Sequence, residues 1–331
     1  MEKEIKPEDI LQIAQAFMEC RILHSAAELN LFTILSSQPM SAQQVADAIS
    51  GDARALSVLL DALAAMGLLI KDGCMYVCGL PVAALLSDKS PQTLLPMVLH
   101  MASLWKRWSR LTDIAKGLDE ARDEFEFVRN PGELRAFIGA MHSIGAPMAK
   151  KIAAAVDPGG ARQLLDVGGG SGTYAIAFLR TSPDMKATLF DLPDVIEMAR
   201  ARLLEEGLLD RVTLVSGSYI MQELPGGHDL ALLSAIIHSN SPEENLDLYR
   251  KIFRALKSGG RILIRDHVMN HDRTYPRAGA LFAVNMLVGT SGGGTYTYEE
   301  IESGLAQAGF ERIRFLKPGE NMDALVEAWK P

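Results

Sequence analysis

The sequence predicts a doubly wound α/β domain with a Rossmann-like parallel sheet, preceded by an all-helical, winged-helix-like domain. Three observations carry that reading. An apolar run ends in an acid and alternating glycines, LLDVGGGSG at residues 164–172, directly before a helical pattern. Apolar strand candidates alternate with helical stretches at 163–167, 186–190, 212–215, 229–233, 261–266, 312–316 and 323–328. Ahead of them, residues 10–80 read as helix, helix, helix and hairpin.

The elements follow in order. Ile10, Leu11, Ile13, Ala14, Phe17 and Met18 have helical spacing, Ser41 can cap a helix through Ile49, and Asp52 can cap another through Met66. LLIKDGCMYVC places two short apolar runs around an Asp-Gly turn, a hairpin signal. Residues 91–156 read as further helices, where Trp105 and Trp108 are expected as core or pocket wall. The DPGG stretch at 157–160 is turn chemistry before the first strand and marks a boundary. The chain therefore divides into a winged-helix-like segment 1–90, a helical linker 91–157 that contributes to a ligand pocket, and the α/β domain 158–331.

Composition narrows the function. At 331 residues, 48% hydrophobic and 22% charged, the chain has an ordinary globular balance. The charged start MEKEIKPEDI lacks a signal-peptide core and no apolar run approaches ~18 residues, so a cytoplasmic protein with no membrane partner is expected. A net charge of -8 argues against nucleic acid. Residues 1–80 carry five Lys or Arg against ten Asp or Glu, and the helix that would enter a DNA groove offers only Arg54. That helix set is better suited to protein contact than to DNA. Cys20, Cys74 and Cys78 are odd in number and lack CxxC spacing, which excludes a disulfide framework or zinc site in favour of reduced thiols.

The glycine segment binds a cofactor. Gly168, Gly170 and Gly172 let the backbone turn sharply and approach a ligand, and the helix from Thr173 directs its amides at it. A dinucleotide motif would need glycine at 173, which is Thr, and Asp166 sets a carboxylate where a pyrophosphate would lie. A cofactor with its own positive charge suits that acid better, and S-adenosylmethionine, with ammonium and sulfonium groups, is such a cofactor. Asp191, about twenty residues beyond the glycines at the end of the next strand, can accept both ribose hydroxyls.

Residues just past the strands take priority for chemistry. His238 follows DLALLSAII, and Ser241, Pro242 and Glu244 form a capping box that leaves His238, Ser239 and Asn240 in the strand-end loop. Asp266 ends the neighbouring strand RILIR. Methyl transfer from a sulfonium is an in-line displacement, and a phenol, with a pKa of about 10, reacts best once a nearby base takes its proton. His238 fits that base, with Asp266 accepting the other ring N–H. A loop histidine bonded to backbone is the rival reading. His267 and His271 with Asp266 and Asp272 could be drawn as a metal site, but no helix holds both rings on one face, so no metal is expected. His100, Met101, Met141 and His142, in the helices ahead of the cofactor domain, are acceptor-pocket candidates with core packing as the alternative. Asn285 and Met286 are candidates for the acceptor side, with a backbone-bonded Asn285 as the alternative.

These residues resemble the small-molecule O-methyltransferases that include plant caffeic-acid-type enzymes, acetylserotonin methyltransferase and bacterial antibiotic-tailoring enzymes. The resemblance rests on LLDVGGGSG, FDLPDVIEMAR and LVSGSYI and spans nearly the whole chain, since those proteins begin with a winged-helix-like homodimerisation domain. It implies that Gly168, Gly169, Gly170, Asp191, Gly217, Ser218 and Tyr219, with Asp166, Leu192 and Ser234 beside them, contact S-adenosylmethionine, leaving S-adenosylhomocysteine as product. It makes His238 the base and Asp266 the acid that orients it.

Departures stand beside the matches. The family's His-Asp-Trp is His238, Ser239, Asn240 here, its adenine-side acid is Ser218, and its second acid near the histidine is Thr295. One missing carboxylate weakens base catalysis without removing donor binding. The acceptor is then more acidic than a simple phenol, or is not oxygen. The reading is a homodimeric methyltransferase acting on a hydroxyl of an aromatic or polyketide-like small molecule. Carbon methylation on the same fold and a cofactor-sensing winged-helix regulator are the alternatives.

Overall fold

The structure, a computed structural model, describes residues 5–118, 131–156, 158 and 160–331, and the chain divides into two units, 5–106 with 131–143 and 107–118 with 144–331. The segment 91–157 is thus shared between them, and Asp157 and Gly159 of the DPGG stretch lie outside the described residues.

The first unit runs α1 (Pro7–Glu28), α2 (Leu31–Ser37), β1 (Met40–Ser41), α3 (Ala42–Ile49), α4 (Ala53–Ala65), β2 (Ile70–Asp72), β3 (Met75–Val77), α5 (Leu80–Leu86) and α6 (Leu95–Trp108), whose last two residues fall in the second unit. Ser41 caps α3 in a reciprocal box with Gln44, and Asp52 accepts the Ala55 amide to start α4. The Asp72-Gly73 turn joins β2 to β3, with Gly73 at φ +57°, a left-handed conformation that favours glycine. The unit is not all-helical: β1 pairs with β3, giving a three-stranded antiparallel sheet in the order β1-β3-β2. Leu31, Phe32, Leu35, Val45, Leu60 and Leu63 fill its core. On α1 the helically spaced Ile10, Leu11, Ile13, Phe17 and Met18 remain at least half exposed. Trp108 is also exposed, so the two tryptophans do not form a core.

After α7 (Leu111–Ala115), α8 (Pro131–Ala155) passes from the first unit into the second. The second unit is a seven-stranded sheet of β4 (Gln163–Val167), β5 (Lys186–Asp191), β6 (Val212–Ser216), β7 (His228–Ser234), β8 (Leu256–Asp266), β11 (Glu311–Lys317) and β12 (Ala324–Trp329). Between β8 and β11 the chain adds β9 (Val268–Met269) and β10 (Tyr296–Thr297), which pair with each other. The sheet order β11-β12-β8-β7-β4-β5-β6 is doubly wound: the chain starts at β4, moves outward through β5 to β6, then returns to the other side of β4 with β7. The topological switch therefore lies between β4 and β7, where the carboxyl ends of an α/β sheet open a ligand crevice.

The sheet is mixed where an all-parallel one was expected. β4 to β8 run parallel, whereas β12 is antiparallel to both β8 and β11. Only residues 318–323 join β11 to β12, too few for a parallel crossover. Strand residues alternate between two cores. Leu164, Leu230, Leu232 and Leu263 face α9 (Thr173–Thr181) and α10 (Pro193–Glu205). Leu165, Val167, Leu233 and Ile264 face α11 (Pro242–Ala255) and α13 (Tyr298–Gln307). Burial on both faces explains the near-continuous apolar strands.

Arg211 closes the C-terminal end of α9, its guanidinium donating to the carbonyls of Leu179, Ser182 and Met185 at 2.7–3.2 Å. Arg211→Met should strand these acceptors and lower the unfolding free energy by ~1–3 kcal/mol in a denaturant titration. The glycine turn should keep its conformation, because the arginine works at the other end of the helix.

Candidate active site

The glycine turn leaves β4 with Gly168, Gly170 and Gly172 at φ +67°, +57° and +82°, all left-handed. Two of its positions also lack room for a side chain. A Cβ on Gly168 would meet Ile236 Cδ1 at 2.3 Å, and one on Gly169 would meet Leu189 Cγ at 2.8 Å and the Asp166 carboxyl at 2.9 Å. The turn therefore sits tight over the strand ends, with α9 beginning directly behind it.

Two carboxyl groups flank this turn. Asp191 accepts the Gly170 amide through Oδ2 and the Leu192 amide through Oδ1, both at 2.7 Å. Asp166 is 1% exposed, and its Oδ2 has no hydrogen-bond partner among the described residues. Burial, then the neighbouring Asp191, raise the Asp166 pKa to about 7 against the opposing Ala175 amide. Burial likewise pushes Asp191 up, resisted by the Leu192 and Gly170 amides. A buried, unsatisfied acid beside a second acid suits a cation. Gly217 continues the rim after β6, its amide bonded to the Asp191 carbonyl, and Ser218 and Tyr219 follow. Ser234 ends β7 and its Oγ accepts the buried Arg265 Nε–H at 2.8 Å.

On the other side of the switch, His238 lies in a 3-10 turn, Ile237–Ser239, and Asp266 ends β8. Parallel pairing sets Ser234 opposite Arg265, so the two residues leave adjacent strands at matching heights. His238 Nδ1 is 2.9 Å from both Asp266 oxygens. Asp266 is 1% exposed, and burial alone would raise its pKa. The charge and hydrogen bond of His238, Arg265 and the His267 amide outweigh that and hold it below the ordinary carboxylate value. Asp266 is therefore an ionised acceptor, Nδ1 carries the proton, and Nε2 has no partner among the described residues. Phe282, on α12 (Arg277–Gly289), sets its ring edge-on to His238 at 4.8 Å and contacts His267 at 5.2 Å.

The other candidates distribute unevenly. Asn285 and Met286 share α12 with Phe282, but Asn285 Oδ1 accepts the Trp108 indole N–H at 2.9 Å and Met286 is buried. Thr295 is buried, its carbonyl held by Arg273, while the adjacent Gly294 amide donates to the His238 carbonyl. Met141 and His142 belong to the first unit. Among the described residues no group of His, Cys, Asp and Glu is arranged to hold a metal, and His267 instead packs on Phe282. Phe282, Arg265 and Asn245 were not foreseen. Phe282 carried a signal, lying three and four residues before Asn285 and Met286 on one helical face.

Comparison with known proteins decides the family. Residues 120–311 match the O-methyltransferase domain and residues 11–86 the O-methyltransferase dimerisation domain. The chain belongs to the O-methyltransferase family. This O-methyltransferase is 30% identical to 3-hydroxy-5-methyl-1-naphthoate 3-O-methyltransferase of Streptomyces sahachiroi, over 95% of this chain and 93% of that one. It is 26% identical to chicken (Gallus gallus) acetylserotonin O-methyltransferase, over 97% and 96%. Its fold overlays that of PigF from Serratia, solved with S-adenosylhomocysteine, at a TM-score of 0.90 and 28% identity, covering 98% of this chain and 100% of PigF. Human N-acetylserotonin methyltransferase, solved with S-adenosylmethionine, overlays at a TM-score of 0.84 and 25% identity, covering 100% and 99%. The methyl donor of this O-methyltransferase is S-adenosylmethionine, and its substrates are small molecules. No helix among the described residues is long and apolar enough to cross a membrane.

A donor cation seated beside Asp166 would make binding pH-dependent. A cation settling beside it favours the ionised form, so below about pH 7 binding must expel a proton. Calorimetry should show S-adenosylmethionine affinity rising ~10-fold between about pH 5.5 and 7.5, and Asp166→Asn should bind weakly with no such slope. The sign for stability is opposite. A raised carboxyl pKa gives stability that is full below the unfolded value and lost as pH rises through about 7, so Asp166→Asn should raise the melting temperature of the ligand-free enzyme at pH 8.

Proposed function

We propose that this O-methyltransferase methylates a hydroxyl on an aromatic, polyketide-like small molecule, with His238 as general base and Asp266 as the group that orients it. One observation supports this: His238 Nδ1 lies 2.9 Å from both oxygens of a buried carboxylate held below its ordinary pKa, and Nε2 has no partner among the described residues. Bound S-adenosylmethionine supplies an electrophilic methyl group. Everything else falls to the chain. Asp166 and the glycine turn hold the cationic end of the donor, and Asp191 accepts the ribose hydroxyls. Nε2 takes the acceptor proton, Asp266 stabilises the resulting imidazolium, and Phe282 packs edge-on against the ring and restricts its tilt.

The acceptor class is supported by relatives named for naphthoate, tetracenomycin and mitomycin methylation. With Thr295 where a second acid would stand, His238 is supported by one carboxylate, which favours an acceptor hydroxyl more acidic than a simple phenol. The chain acts as a homodimer built on the apolar face of α1, where Ile13 is 72% and Phe17 53% exposed.

With hydroxynaphthoic acids as acceptors, His238→Ala should lose ~10²-fold or more in turnover while S-adenosylhomocysteine affinity is retained. Turnover within a few-fold of the native enzyme would refute the base assignment. Sedimentation should give a dimer, and replacing both Ile13 and Phe17 by Glu should give monomer; an unchanged dimer would place the interface elsewhere.

A further inference from the structure

Asn240 stands where the family reads tryptophan, and it is 2% exposed. Its polar groups are engaged on three sides. Oδ1 accepts the Tyr219 hydroxyl at 3.1 Å, Nδ2 donates to Asn245 Oδ1 at 3.0 Å, and the carbonyl accepts the Tyr296 hydroxyl. Asn245, in the first turn of α11, passes the connection on, donating from Nδ2 to the Ile237 carbonyl at 2.8 Å. Ile237 opens the 3-10 turn that carries His238. Six residues further along α11, the buried Lys251 donates to the carbonyls of Tyr219 and Ile220 at 2.7 and 3.0 Å. The loop after β6 and the turn after β7 are thus docked on one helix, and the Tyr219–Asn240 bond ties them directly to each other.

A buried polar chain with its partners in place selects one arrangement, because any shift leaves unpaired groups away from water. The base needs such an arrangement. With a single carboxylate to orient it, the imidazole keeps its proton on Nδ1 only while the backbone turn holds that nitrogen on Asp266.

We propose that Asn240 is a positioning residue for His238, fixing through Asn245 and Tyr296 the turn that presents the imidazole to Asp266, and linking that turn through Tyr219 to the cofactor-side loop. This rests on the reading of His238 as the base. Its test reads the ring itself, so its failure is separable from failure of that reading, which the His238→Ala turnover decides. The full-length enzyme is labelled with ¹⁵N-histidine, saturated with S-adenosylhomocysteine, and the His238 ring nitrogens are observed by NMR in the native enzyme, Asn240→Ala and Tyr219→Phe.

The native ring should be almost wholly the Nδ1-protonated tautomer. In Asn240→Ala the Nε2-protonated fraction should rise ~5-fold or more, with S-adenosylhomocysteine affinity within ~3-fold of native. Tyr219→Phe removes a single oxygen and should shift the ratio the same way by a smaller amount, which keeps the test decisive should Asn240→Ala fail to fold. A native tautomer ratio in each folded variant would overturn the proposal.

Discussion

The register of β7 against β8 is the constraint on which the rest of the site depends. Ser234 lies opposite Arg265, and the Ala235 amide donates to the Arg265 carbonyl as the strands end. Three residues further the β7 chain reaches His238, while β8 reaches Asp266 in one. Side chains in strands alternate faces, so a slip of one residue would turn Asp266 away from the imidazole and bring Arg265 toward it. The two cores defend that register, since a slip would also move Leu263 and Ile264 to the wrong faces.

Two buried aspartates, Asp166 and Asp266, and the half-buried Asp191 show how environment divides one residue type. Asp166 and Asp191 are both pushed up, chiefly by burial, and Asp166 also by its neighbour's charge. Asp266 is equally buried, yet the histidine, the adjacent arginine and a backbone amide bring it below its ordinary value. The first pair is short of positive charge and suited to receive it from a ligand. The last already has its hydrogen-bonding partner, the His238 ring, within the protein, together with the Arg265 charge. The switch between β4 and β7 separates the two regions, which under the proposed function sets donor recognition and proton removal on different strands of one crevice.

Much of this was legible in the sequence because it is local. The apolar strands, the caps at Ser41, Asp52 and Ser241 and the glycine turn follow from residue type and spacing over a few positions, and the structure shows each. The pairing of His238 with Asp266 was legible too, because doubly wound folds gather their chemistry at strand ends. What was not legible depends on distant partners. β1 is two residues long and exists only by pairing with a distant β3, Met40 against Tyr76 and Ser41 against Met75. The reversed β12 follows from a short connection between two strands that look like any others. Asn240 read as a loop residue because its four-part network draws on Tyr219, Asn245 and Tyr296, and Asn285 gave no hint that Trp108 would occupy its oxygen.

In the proposed mechanism a buried, ionised Asp266 fixes the proton of His238 on Nδ1 and so leaves Nε2 to take the acceptor proton. Its most direct test is the methyl-transfer rate of Asp266→Asn at saturating S-adenosylmethionine, a substitution that keeps shape and removes charge. A loss of ~10²-fold or more with donor affinity intact is expected. A rate within ~3-fold of the native enzyme would contradict it.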